Sequence, residues 1–131
     1  MTTLAIHNAR IIDPELNLDG IADIVLVDGR IARIGPNEAE MVIDAERIDA
    51  TGLVVCSGFV DLHCHLREPG FEYKETLETG SNAAFYGGYT RVCIMPNTNP
   101  VVDNPELIKY IIKKAEKLPV YIYPIGAISK G

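Results

Sequence analysis

From Ser57 to Gly131 the chain alternates short apolar runs with helical patterns, and this rhythm restricts the fold more than any other feature. Phe59–His65, Thr90–Met95 and Val120–Ile125 read as strands, each a short run rich in apolar residues. A helix is expected between the first two, from about Lys74 to Tyr86, with Leu77, Ser81 and Ala84 at helical spacing. Gly87-Gly88 stops it, because glycine lets a chain leave a helix through positive φ. A second helix is expected over residues 105–117. Asn104-Pro105 puts a good N-cap before a proline at the first helical position, and Ile108, Ile111, Ile112 and Ala115 recur at i, i+3, i+4, i+7. Strands separated by single helices run parallel, since a parallel neighbour needs a crossover connection. The fold class is therefore α/β, as a doubly wound sheet or as a (β/α)8 barrel.

The first part of the chain has a different rhythm. Leu4–Ile12, Ile21–Val27, Arg30–Ile34, Met41–Ile48 and Leu53–Val55 are β-like runs, and Asp28-Gly29 is the signature of a tight type I′ hairpin turn. These runs predict a small antiparallel sheet over residues 1–56, distinct from the β/α segment over 57–131. A barrel takes roughly 250 residues, and three strands with two helices would leave much apolar surface uncovered. The chain is accordingly expected to be the N-terminal piece of a larger protein.

Bulk properties exclude several function classes. A net charge of −6 with no Lys/Arg cluster argues against a nucleic-acid partner. No apolar stretch approaches the ~20 residues of a membrane span, and no basic-then-apolar leader opens the chain, so no membrane role is expected. Cys56, Cys64 and Cys93 are odd in number and widely spaced in apolar runs, which reads as reduced, buried thiols in a cytoplasmic protein.

The chemistry concentrates in residues 58–70, Gly-Phe-Val-Asp-Leu-His-Cys-His-Leu-Arg-Glu-Pro-Gly. Alternation along a strand sends His63 and His65 to one face, roughly 6 to 7 Å apart along the backbone, so both rings can converge on one metal ion. Cys64 faces the other way. Asp61 shares the histidines' face and can hold the assembly in place, or can simply bond a neighbouring amide. Arg67 adds a planar cation at the mouth of the site. Metal ligands beside an anion-binding group suggest hydrolysis of an acidic substrate.

That segment, with Met95-Pro96-Asn97-Thr98-Asn99-Pro100 at the end of the second strand, resembles the amidohydrolase superfamily and specifically its dihydroorotases. Tyr73-Lys74-Glu75-Thr76 and Gly87-Gly88-Tyr89-Thr90 are similar to that family as well, and residues 1–56 resemble part of its small N-terminal β-sandwich. The resemblance implies the first β/α units of a (β/α)8 TIM barrel. It implies that His63 and His65 bind zinc, one or two ions per complete site, and that Arg67 and Asn97 grip the substrate carboxylate. Guanidinium is a bidentate carboxylate donor and an amide adds a further hydrogen bond. The alternatives are a surface arginine paired with Glu68 or Glu72, and an asparagine serving only the turn.

The reaction the resemblance implies is the reversible hydrolysis of dihydroorotate to N-carbamoyl-L-aspartate in pyrimidine biosynthesis, where the metal activates water and polarises the ring carbonyl. The family's other ligands and its catalytic aspartate are expected beyond Gly131, so no catalytic residue is assigned within this chain. Zinc needs at least three protein ligands, and the only other histidine is His7 in the first segment, an expected exposed strand residue. The chain alone is therefore expected to be inactive and to hold zinc poorly. A related allantoinase or hydantoinase, and a non-catalytic partner of aspartate transcarbamoylase, are the competing readings; the parent is expected to be a homo-oligomer. Cys64 and Cys93 read as packing residues, Lys74 and Lys130 as solvated, and Glu72, Glu75 and Glu78 as a solvated helix face.

Overall fold

The computed structural model describes residues 2–130. They divide into two compact units, Met1–Ser57 and Gly58–Gly131.

The first unit is one five-stranded sheet of β1 (Thr3–Asp13), β2 (Leu18–Val27), β3 (Arg30–Gly35), β4 (Glu46–Asp49) and β5 (Val54–Cys56). Asp28 and Gly29 have φ of 49° and 75°, the two positive values a type I′ turn requires, and they join β2 to β3. The sheet is mixed, not antiparallel as expected. β1, β2 and β3 form an antiparallel meander, but β4 and β5 both pair parallel with β1, at residues 4–7 and 10–12. The run Met41–Ile48 is also not one strand. Glu38–Met41 forms a 3-10 helix, whose Ala39 amide donates to buried Asp23 Oδ2 at 3.1 Å, and the strand begins only at Glu46. Asp23 Oδ1 accepts from the Asn8 amide at the β1 bulge, so one buried carboxylate satisfies two backbone donors.

The second unit contains β6 (Phe59–Cys64), α1 (Leu77–Tyr86), β7 (Tyr89–Ile94), α2 (Pro105–Ala115) and β8 (Tyr121–Pro124). The three strands pair parallel in the order β6-β7-β8. Alternate strand residues Val92, Ile94 and Ile122 meet Leu77 of α1 and Ile111 and Ala115 of α2 in one buried core. Asn104 caps α2 by accepting from the Leu107 amide at 3.0 Å. The apolar stripe of α2 is narrower than its sequence suggests, since Ile112 is half exposed. β6 and β8 carry exposed Phe59, Leu62, Tyr121 and Tyr123, the uncovered apolar surface expected of three strands with two helices.

α1 starts three residues later than expected. Thr76 is extended and caps the helix reciprocally with Thr79, while residues 71–74 make a separate turn closed by the Lys74 amide on the Phe71 carbonyl. Of the three glutamates read as one helix face, only Glu78 lies on the helix.

Candidate active site at the ends of two parallel strands

β6 and β7 are adjacent and parallel, with Cys64 opposite Ile94, so the segments that follow both strands emerge side by side. The Met95 amide donates to the Cys64 carbonyl at 2.9 Å, and the Asn99 amide donates to the Pro69 carbonyl at 3.0 Å. Gly70 makes that approach possible. Its φ is +94°, and a Cβ there would run into the Asn99 carbonyl. Within the second loop, buried Thr98 donates its hydroxyl to the Pro100 carbonyl at 2.8 Å.

His63 is exposed near the end of β6, and His65, half-buried, lies one residue past the strand. Their ring centroids are 5.1 Å apart at an interplanar angle of 63°. Asn97, from the loop after β7, places Oδ1 at 2.9 Å from His65 Nδ1. The asparagine side chain thus reaches the neighbouring strand end. Arg67 follows in the same loop as His65, and among the described residues no hydrogen bond or ion pair engages its guanidinium. Neither candidate partner holds it: Glu72 Oε1 accepts from the Gly70 amide, and Glu68 is bound elsewhere.

Asp61 Oδ1 accepts from the His63 backbone amide at 2.9 Å, so its contact is with the main chain of the histidine segment and not with an imidazole. Cys64 packs against the core and donates Sγ–H to the Cys93 carbonyl. Burial, with the charges of Asp61 and Glu75, pushes its thiol up to about 11, so it stays protonated at neutral pH. Cys56, read as buried, is exposed. His7 is half buried beside Arg47 Nη1, 3.1 Å away, in the first unit.

The loop has an anchor that its sequence does not advertise. Glu68 is 1% exposed; Oε2 accepts from Leu77, the first helical amide of α1, and Oε1 accepts from Tyr110 Oη and Lys114 Nζ of α2. Burial raises the Glu68 carboxyl, but Lys114, the Leu77 amide and Tyr110 together outweigh it and hold the group below its ordinary value. Glu68 hides in the sequence as one more glutamate. The available signal was Tyr110 and Lys114 at i, i+4 on one helix face, with a possible acidic partner in the preceding loop.

As a metal site the donor set fits in part. Two imidazoles from one strand end are suitable zinc ligands, but among the described residues no group of three His, Cys, Asp or Glu side chains comes together. Residues 52–130 match the family model described as dihydro-orotase-like. The chain belongs to that family. It is 52% identical over 129 residues to a dihydroorotase of Solibacter usitatus, covering 98% of this chain and 30% of the relative. It is 46% identical to a dihydroorotase of Aquifex aeolicus, covering all of this chain and 31% of the relative. The chain thus spans about a third of the length of the curated relatives it matches. Among solved structures it resembles an L-hydantoinase from Arthrobacter aurescens at 29% identity and a TM-score of 0.82, over 96% of this chain and 28% of that one. The fold class read from the sequence, opening β/α units of an amidohydrolase barrel behind a β-rich segment, holds for this family member. No helix among the described residues is long and apolar enough to cross a membrane.

Proposed function

We propose that the chain supplies the first part of a zinc-dependent dihydroorotase, acting in the cytoplasm in pyrimidine biosynthesis, with residues 57–131 opening the barrel and residues 1–56 contributing the N-terminal β segment. The carrying observation is the pair of imidazoles at the end of β6, with the Asn97 amide reaching His65 from the loop after β7. Arg67 follows His65 in the same loop, and among the described residues its guanidinium has no hydrogen bond or ion pair. His63 and His65 would hold zinc, which when bound supplies Lewis-acid activation of water and of the scissile ring carbonyl. Arg67 offers two parallel N–H donors to the substrate carboxylate, and Asn97 offers its Nδ2 hydrogens, since its oxygen is already engaged by His65. Gripping the carboxylate fixes which face and which amide of the ring meets the reacting centre.

The hydantoinase likeness favours a second reading, hydrolysis of a cyclic amide that carries no carboxylate. Arg67 separates the two, because a guanidinium with no protein partner among the described residues gains most from an anionic substrate. The test is a chimera in which residues 2–130 replace the matched stretch of the Solibacter usitatus dihydroorotase. Arg67→Ala in that protein should lower kcat/KM for dihydroorotate by about 30-fold or more, the lower end for losing one partner of a buried charge pair. Hydrolysis of dihydrouracil, the same ring without the carboxylate, should hardly change. Equal losses on both substrates would exclude carboxylate recognition by Arg67.

A further inference from the structure

The structure places Asn97 Oδ1 2.9 Å from His65 Nδ1. That oxygen carries no hydrogen, so in this orientation of the amide it accepts from an imidazole protonated at Nδ1. A neutral imidazole has one ring proton. With Nδ1 protonated, Nε2 is the nitrogen left with a lone pair, the form a metal ligand needs. His63 differs: among the described residues its ring makes no hydrogen bond. Asn97 itself is well fixed, because its loop is tied to the first one through Met95 on Cys64 and Asn99 on Pro69, and is closed internally by Thr98.

We infer that Asn97 is a positioning residue for His65, locking the Nδ1–H tautomer and ring orientation that present Nε2 as a ligand, in addition to gripping substrate through Nδ2. The inference rests on the zinc reading of the site. It makes one amide couple the two halves of the chemistry: the oxygen serves the ligand and the nitrogen serves the substrate. Asn97 is exposed and His65 is its only side-chain hydrogen-bond partner among the described residues, so replacing it removes this contact without opening the core.

The experiment uses the 15N-labelled chain without metal, reading histidine tautomers from two-bond 1H–15N correlations, together with zinc affinity of the chimera. In the unaltered chain His65 should show Nδ1–H with an unprotonated Nε2, and His63 a tautomer mixture that serves as the internal reference. Asn97→Ala should move His65 to the mixture and weaken zinc binding by about 10- to 100-fold, the usual effect of losing a partner behind a metal ligand. Asn97→Asp, which keeps an acceptor oxygen, should retain both the tautomer and the affinity. A His65 that is Nε2–H in the unaltered chain, or Asn97→Ala that changes neither readout, overturns the positioning role and leaves the zinc reading standing. A chimera that binds no zinc at all overturns both.

Discussion

Changing either His63 or His65 to alanine in the chimera should remove zinc from the site and reduce dihydroorotate hydrolysis by about 10³-fold or more. The magnitude follows from the several kcal/mol that a Lewis acid contributes to the transition state, at ~1.4 kcal/mol per tenfold in rate. On the proposed zinc reading both rings are needed: their centroids lie 5.1 Å apart at this strand end, and among the described residues no third His, Cys, Asp or Glu groups with them. Metal analysis of each purified variant beside its rate checks the cause. Activity lost with zinc retained would mean that the histidines act in some other way, for example on protons.

Removing the Glu68 carboxylate should have the largest effect on stability. Glu68→Ala strands the Leu77 amide at a buried helix end and leaves a cavity, and Lys114 simply turns to water. An unsatisfied buried donor costs about 1–3 kcal/mol and the cavity adds to it, so a loss of about 2–4 kcal/mol is expected. Glu68→Gln keeps the volume and an acceptor and should cost less. Because the folded-state carboxyl lies below its ordinary value of 4.5, its contribution is present above that pH and is lost as pH falls through the lower folded value. The unaltered chain should therefore lose stability below pH 4.5, and Glu68→Gln should lose less over the same window. Hydrogen exchange at the Leu77 amide, followed with pH in both proteins, reports this locally and does not require the two units to unfold together.

What the sequence made legible was what sequence spacing encodes. The β/α alternation, the Asn104-Pro105 helix start and the Asp28-Gly29 turn each depend on a few adjacent residues, and each is found in the structure. The rings of His63 and His65 do come together, although the strand ends at Cys64 and His65 lies just past it. What the sequence concealed was set at a distance. The parallel seating of β4 and β5 on β1 has no local signature, because a short strand reads the same in either direction. The helix start at Thr76 was masked by Lys74 and Glu75, good helix formers that the reciprocal Thr76–Thr79 cap excludes from the helix. Glu68 meets Tyr110 and Lys114 across more than forty residues, and the His65–Asn97 contact spans thirty-two. The sequence could place His65 and Asn97 at neighbouring strand ends, but only the folded chain shows that one bonds the other.

The most direct measurement is hydrolysis of dihydroorotate, against hydantoin and allantoin, by the zinc-loaded chimera, with the isolated 131-residue chain as control. The account predicts turnover of dihydroorotate by the chimera, weak or no turnover of the other two rings, and none by the isolated chain. A chimera at full zinc occupancy that opens hydantoin or allantoin in preference to dihydroorotate would contradict it.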